Sequence, residues 1–305
     1  MSVFCLCYFL MLDKQRDILY NTREVHNRQF VTILSLNKTT GDYWRQPVFF
    51  MYARISSVVG GILLHFHELC PLIHWEEKMK VLVLLSGGVD SSTCLALVKE
   101  KYGDNVLALS MFYGQKHSKE LQAAQAVADF YHVELLQMDL AKIFAHSSCS
   151  LLQGSQENVP HASYAEQLKE SKGEPVSTYV PFRNGLFLSA AASIALEYGC
   201  NEIYYGPHAD DAAGNAYPDC SIEFNEAMNL AVYLGSGRKV RLVAPFVAKT
   251  KKEIVAEGLR LGVPYELTWS CYDGGEKPCH KCGTCIDREA AFAANGVIDP
   301  LTKEE

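Results

Sequence analysis

The pattern of apolar positions changes character at Met79. Val81-Leu82-Val83-Leu84-Leu85 is an unbroken apolar run. Such a run, rich in branched residues and followed by glycines, predicts a strand buried on both faces of a parallel sheet. Thr93-Cys94-Leu95-Ala96-Leu97-Val98 follows with helical spacing, which predicts a helix over 91–101 ended by Gly103. Further strands are predicted over 106–112, 133–140, 202–205 and 240–244. Helices are predicted over 118–131, 183–198, 222–234 and 250–261, with a short closing helix over 288–294. Leu121, Ala124, Val127, Ala128 and Tyr131 lie on one face of the helix over 118–131. Alternation of strand and helix predicts an α/β domain: an open, mostly parallel five-stranded sheet with helices on both faces. Residues 141–180 are polar and irregular, with Pro160, Gly173 and Pro175. A connection that long inside a compact domain is expected to serve as an active-site lid or insertion.

Residues 1–78 do not share this pattern. No regular period holds for long in them, and no motif appears. They are expected to form an N-terminal extension, irregular or dispensable, ahead of a domain over 79–268 and a cysteine-bearing tail over 269–305. A genuine extra N-terminal domain is the alternative.

The run from Ser86 to Ser92, Ser-Gly-Gly-Val-Asp-Ser-Ser, joins the first strand to the first helix. Two glycines let the backbone bend tightly and approach a ligand. Free N–H groups at the turn and helix start suit a phosphate. Ser86, Ser91 and Ser92 add hydroxyl donors. No lysine ends the loop, so it is not the GxxxxGK[ST] type. It resembles the SGGxDS loop of the ATP pyrophosphatases, which transfer AMP from ATP and release pyrophosphate. ATP is expected to bind along Leu84, Leu85, Ser86, Gly87, Gly88, Val89, Asp90, Ser91, Ser92, Thr93 and Cys94.

Cys271, Cys279, Cys282 and Cys285 are spaced C-x7-C-x2-C-x2-C, with Gly274, Gly275, Pro278 and Gly283 supplying turns. Four thiolates so spaced can close a tetrahedral shell around one structural zinc ion; an iron–sulfur cluster is the alternative. The tail is therefore expected to be a small zinc-binding knuckle. The chain has 11 cysteines. An odd number with four clustered argues for a reducing, cytoplasmic setting and against a disulfide framework.

Other polar groups fall at predicted strand ends, where open parallel sheets bind ligands. After the fourth strand come Gly206-Pro207-His208-Ala209-Asp210-Asp211 and Tyr217-Pro218-Asp219-Cys220. Asp210, Asp211, Tyr217 and Asp219 are expected to read a substrate; the carboxylates could accept from a guanine-like base or hold Mg2+ beside ATP. Lys249 and Lys251 follow the fifth strand. Lys116 and Arg183 are candidates to meet developing charge, together with Asp90.

Net charge is −7 and the pI is about 5.8. No basic patch stands out, so no nucleic-acid partner is expected. Val3 to Leu12 is apolar but lacks a basic flank and a small-residue cleavage site. The apolar stretch over 47–64 is interrupted by Arg54. Neither reads as a signal peptide or membrane span, and no membrane partner is expected.

Taken together, the loop at 86–92, Tyr113-Gly114-Gln115-Lys116-His117, Tyr217-Pro218-Asp219-Cys220, Thr250-Lys251-Lys252-Glu253-Ile254-Val255, and the tail from Thr268-Trp269-Ser270-Cys271-Tyr272 through Cys285 resemble 7-cyano-7-deazaguanine synthases of queuosine biosynthesis. The likeness spans Met79 to about Leu301. Lys116 stands where an arginine is more usual, which weakens a bidentate phosphate grip there. The resemblance implies ATP-dependent conversion of 7-carboxy-7-deazaguanine and ammonia to the 7-cyano base, with AMP and pyrophosphate released. It also implies a homodimer. Two rivals remain at this stage. A tRNA thiolase on the same fold would need a sulfur-carrying cysteine and a tRNA surface. A non-catalytic ATP-binding sensor would need neither substrate nor lid.

Overall fold

A computed structural model describes the backbone of Leu10–Asp13, Arg16–Val25 and Arg28–Asn37, and residues 79–302 apart from position 173. The chain divides into two units, Met1–Trp75 and Glu76–Glu305. In the first, β1 (Leu10–Asp13), β2 (Arg16–Val25) and β3 (Arg28–Asn37) form an antiparallel sheet in that order. Most of the extension expected over residues 1–78 lies outside the described residues. Ile18-Leu19-Tyr20 and Val31-Thr32-Ile33-Leu34 break strict alternation, so no period of two marks the strands.

The second unit holds the parallel sheet. Its strands are β4 (Lys80–Leu84), β5 (Val106–Phe112), β6 (Glu134–Asp139), β7 (Cys200–Tyr204) and β8 (Arg241–Val243). All pairings are parallel, in the order β6-β5-β4-β7-β8. Helices α1 (Val89–Tyr102), α2 (Lys119–Phe130), α3 (Tyr164–Ser171), α4 (Arg183–Glu197), α5 (Ala209–Ala212), α6 (Ile222–Gly235), α7 (Lys251–Leu261) and α8 (Gly283–Ala293) complete it.

Side-chain alternation along β4 builds two cores at once. Val81 and Val83 pack with Leu95 and Val98 of α1, Val127 of α2 and Ile254 of α7. Leu82 faces the other way, packing with Leu188 and Ala191 of α4 and Val232 of α6. Each of Val81, Leu82 and Val83 is fully buried. Burying such a side chain contributes about 1.5–3 kcal/mol, which keeps the central strand fixed under the loop that follows it.

Two elements depart from the sequence expectation. The stretch over 141–180 carries α3, whose start is fixed by a reciprocal cap: Glu166 N donates to Ser163 Oγ and Ser163 N donates to Glu166 Oε2. Only Ala165 and Leu168 are aliphatic in that helix, so periodicity does not reveal it. The closing helix begins at Gly283, five residues before Arg288. Its buried positions Cys285, Arg288, Ala291 and Phe292 follow helical spacing, but two of the types are not ordinary core residues. No helix among the described residues is long and apolar enough to cross a membrane.

Strand order places the reversal of the sheet between β4 and β7. The chain leaves β4 toward β5 on one side, whereas β7 lies on the other. Loops leaving these two strands therefore diverge and open a crevice at their carboxyl ends.

Candidate active site

The crevice is a cavity of about 210 Å³. On one wall, Ser86–Gly88 carry the chain from β4 into α1. Gly88 caps α1 in an extended conformation, and no side chain of the described residues caps the helix, which leaves its start open to a ligand. Ser86 N donates to Ser91 Oγ at 3.2 Å, and the two hydroxyls lie 3.0 Å apart. Gly87 has φ +84°, and a Cβ there would sit 2.4 Å from Ala124 N and 2.5 Å from Glu120 O of α2. The loop therefore lies directly on α2, and only glycine permits it. Trp269 N donates to Gly87 O at 2.9 Å, so the tail pins the loop from the other side. At the end of β7, a Cβ on Gly206 would lie 3.2 Å from the Asp90 backbone, which brings the two diverging loops into contact.

A charged cluster forms where these loops meet. Lys251, on the first turn of α7, donates to Asp90 Oδ2. His208 is buried; its Nε2 lies 3.8 Å from that oxygen and 3.3 Å from Asp211 Oδ2, and its Nδ1 accepts from Asp211 N. Burial pushes the Asp90 carboxyl up, but Lys251 and His208 together outweigh it and hold Asp90 below the usual carboxylate range. Asp90 Oδ1 is buried with no hydrogen-bond partner among the described residues. Asp211 and Asp287 line the same wall. Asp287 is pushed up to about 6, first by burial and then by neighbouring carboxylates, against the pull of Lys251.

The opposite end is aromatic. Tyr113, Tyr164, Phe187 and Tyr272 line it. The Arg183 guanidinium stacks over Tyr113 at 5.4 Å and Phe187 at 5.8 Å. Burial disfavours its charge, but Tyr113 and Asp219 more than compensate, so the guanidinium stays protonated. A hydroxyl chain runs from Thr178 to Tyr217 (2.6 Å), Tyr164 (3.1 Å) and Tyr272 (3.4 Å). Glu120, on the first turn of α2, completes this end; burial pushes its carboxyl up to about 7 against the pull of Arg183.

The sequence-predicted residues divide accordingly. Leu84, Leu85, Ser86, Gly88, Val89, Asp90 and Ser91 line the cavity. Ser92, Thr93 and Cys94 are fully buried in α1; Thr93 Oγ1 donates to Val89 O and meets Tyr265 Oη at 2.8 Å, and Cys94 packs in the core. Asp211 and Arg183 reach the cavity. Asp210 Oδ2 accepts from Lys251 N at 2.7 Å, fixing the start of α7. Asp219 is buried and accepts from Asn184 N at 2.8 Å, so it sets the start of α4 and the placement of Arg183. Tyr217 is buried one hydroxyl away, behind Tyr164. Lys116 is exposed outside this cavity, donating to Glu157 O at 2.7 Å. Glu120, Tyr164 and Asp287 escape sequence reading. A signal existed: Glu120 lies four residues before Ala124 and Asp287 four before Ala291, so each charge sits on the apolar face of its helix.

The four tail cysteines converge, their sulfurs all within 4.8 Å of one another. Cys279 N donates to Cys271 Sγ at 3.3 Å, and Lys281 N and Cys282 N donate to Cys279 Sγ at 3.4 and 3.2 Å. Hydrogen bonds from Cys271 and Cys285 hold Cys282 far below the usual thiol range, whereas burial pushes Cys279 up to about 12. Four thiols this close cannot all ionise without a cation between them, and the donor set can hold a metal.

An open parallel sheet whose central strand feeds an uncapped, lysine-free Ser-Gly-Gly-Val-Asp-Ser loop defines a PP-loop nucleotide-binding protein of the ATP-pyrophosphatase type. The model of the family described as "Queuosine biosynthesis protein QueC" matches residues 80–296. The 7-cyano-7-deazaguanine synthase of Archaeoglobus fulgidus is 48% identical over 228 residues, 74% of this chain and 91% of its own. That of Caldicellulosiruptor bescii is 42% identical over 74% of this chain and 98% of its own. The chain belongs to the QueC family of queuosine biosynthesis enzymes. Among solved structures, the U34-tRNA thiolase NcsA from Methanococcus maripaludis with its [4Fe-4S] cluster is 18% identical, covering 62% of this chain and 59% of its own at a TM-score of 0.40.

Proposed function

We propose that this chain is a 7-cyano-7-deazaguanine synthase acting on 7-carboxy-7-deazaguanine, ammonia and ATP. The observation that carries this reading is a single crevice joining an uncapped phosphate-type helix start to an aromatic end bearing Arg183 and Glu120. The free amides of α1, with Ser86, Ser91 and Lys251, suit the phosphates. The aromatic end offers faces to a flat heterocycle, with Arg183 near its carboxylate. Adenylation exchanges a poor leaving group, carboxylate oxygen, for AMP. Ammonia then displaces AMP to give the amide, and a second ATP activates the amide oxygen so that its loss leaves the nitrile. Both rounds require positioning and charge stabilisation, not a side-chain nucleophile. Incubation with the carboxylate, ammonium and MgATP should yield the nitrile by mass, with AMP and pyrophosphate. ATP turnover indifferent to the carboxylate would defeat the reading.

Asp90, Asp211 and Asp287 would hold Mg2+; the buried, partnerless Asp90 Oδ1 and the neighbouring carboxylates are the oxygen donors that ion prefers. When bound there it would neutralise charge on the phosphates. Cys271, Cys279, Cys282 and Cys285 would hold one zinc ion, closed to substrate. All eight described cysteines are free thiols, in keeping with a cytoplasmic setting. The reading includes a homodimer, supported by the exposed Ile222, Leu230 and Leu234 of α6. Sedimentation should give twice the chain mass, and Leu230→Asp with Leu234→Asp should halve it.

Residues 1–78 are dispensable in this reading. Support comes from the family match beginning at residue 80 and from relatives matched along nearly their whole length. A chain beginning at Met79 should fold with an unchanged melting temperature and form nitrile at the full-length rate. Loss of either would show that the N-terminal unit is needed.

A further inference from the structure

We infer that Glu120 is the proton acceptor for the amination step, taking the proton from the nitrogen that ammonia brings to the adenylated carboxyl carbon. The inference rests on the proposed synthase reaction. Glu120 belongs to the aromatic end of the crevice, on the side where that end adjoins the phosphate loop. Its backbone carbonyl sits against Gly87 of the phosphate loop, and its side chain lines the cavity with Tyr113, Arg183 and Tyr272. An acyl adenylate spans this junction, because its phosphate belongs with the loop and its heterocycle with the aromatic end. The acyl carbon therefore falls beside Glu120.

Chemistry at that carbon calls for a base. The nitrogen lone pair forms the C–N bond, and the carbonyl π electrons move to oxygen. The nitrogen then bears three protons and a positive charge, and it leaves again unless one proton is removed. Glu120 accepts that proton. The oxygen electrons re-form the carbonyl, and AMP departs with the C–O electron pair, leaving the amide. In the second round the nitrogen of the adenylated amide gives up its two remaining protons one at a time, the second as AMP departs with the C–O electron pair and the C≡N bond forms. One base serves all three transfers by passing each proton to solvent before it accepts the next.

An ordinary glutamate is too weak a base for this work. Glu120 is not ordinary. Neither of its oxygens accepts a hydrogen bond from a described residue, and burial raises its pKa to about 7. The ionisable groups facing it are Tyr113 after β5, Arg183 of α4 and Tyr272 of the tail. Lys119, its neighbour in sequence, instead covers Trp269 and donates to Glu276 O. The other base candidates belong to the opposite end: Asp287 and His208 interact with Asp211, Lys251 and Asp90.

The test compares wild type, Glu120→Gln and Glu120→Asp at constant free ammonia across the neutral pH range. Nitrile formation and carboxylate-dependent exchange of pyrophosphate into ATP are followed side by side. Wild-type kcat should fall on the acid side of a limb near pH 7. Glu120→Gln should lose about 100-fold in nitrile formation, together with the limb, while exchange persists within a few-fold. Glu120→Asp should keep a limb at reduced rate. Wild-type nitrile formation in Glu120→Gln with its limb intact would overturn the inference, as would loss of exchange in step with amination. A wild-type protein that forms no nitrile at all would overturn the proposed function, and this inference with it.

Discussion

Replacing Cys282 with serine is expected to release the tail metal and unfold the C-terminal segment, and with it the phosphate loop. Cys282 is fully buried, caps the start of α8, and receives the sulfur contacts that draw the cluster together. Serine keeps the shape but offers a hydroxyl that ionises far too weakly to ligate zinc. In small zinc modules, metal binding supplies on the order of 10 kcal/mol of folding free energy, so losing one of the four thiols should remove the share of the tail's stability that a metal held there would supply. What remains is the packing of Ala291 and Phe292 with Val255 and Tyr265, and the Arg288–Asp299 ion pair. There, Nε and Nη2 donate to the carboxylate at 2.6 and 2.9 Å, and Nη1 and Nη2 also reach Thr268 Oγ1 and Tyr265 O. That pair lies on the same segment and is itself buried, so its net contribution is small once α8 loosens. The consequence for activity follows from Trp269 N, which donates to Gly87 O. Metal analysis should find one zinc per chain in the wild type and none in the variant. The variant should show a lower melting temperature and weakened ATP binding. Unchanged zinc content and melting would rule out the four-cysteine centre.

The sheet was legible because its cause is local. Val81 to Leu85 is apolar without interruption, and such a run has few alternatives to a doubly covered strand. The turn over 86–92 at the crevice and the convergence of the four cysteines were legible for the same reason, since each comes from a short local pattern. The aromatic end was not. Tyr164 sits on a helix with two aliphatic residues, held by a cap that periodicity does not register. Glu120 and Asp287 acquire their character only when α2 and α8 pack against the sheet and the tail. The acidic loop at 208–219 reaches the crevice through Asp211, but the division of labour among its carboxylates comes from tertiary contacts. Asp211 faces the cavity, whereas Asp210 and Asp219 are spent on the starts of α7 and α4. A carboxylate that sets a helix start and one that meets a ligand look alike in one dimension; only the geometry tells them apart.

Gly87→Ala is expected to abolish adenylation while leaving the domain folded. A Cβ at this position would lie 2.4 Å from Ala124 N, 2.5 Å from Glu120 O and 2.9 Å from Ala123 C. All three are backbone atoms of α2, so no rotamer change relieves the overlap. The φ of +84° adds roughly 1–2 kcal/mol of strain for a residue bearing a Cβ. The helix is fixed by Ala124, Val127 and Ala128 in the core, so the loop must yield instead. It would move toward the cavity, breaking the Trp269 N–Gly87 O bond and turning the free amides away from the phosphates. A displacement of about 1 Å at a reacting group can cost 100-fold in rate, and here the displaced element is the loop proposed to cradle the phosphates. Gly262→Ala separates the two contributions. Gly262 also has positive φ, at +67°, but nothing lies within 4 Å of its added Cβ. That variant should lose roughly 1–2 kcal/mol of stability and keep its exchange rate. Gly87→Ala should instead lose carboxylate-dependent pyrophosphate exchange by about 100-fold or more, with the far-ultraviolet spectrum of the wild type. Exchange at the wild-type rate would mean that the loop does not hold the phosphates where the free end of α1 points.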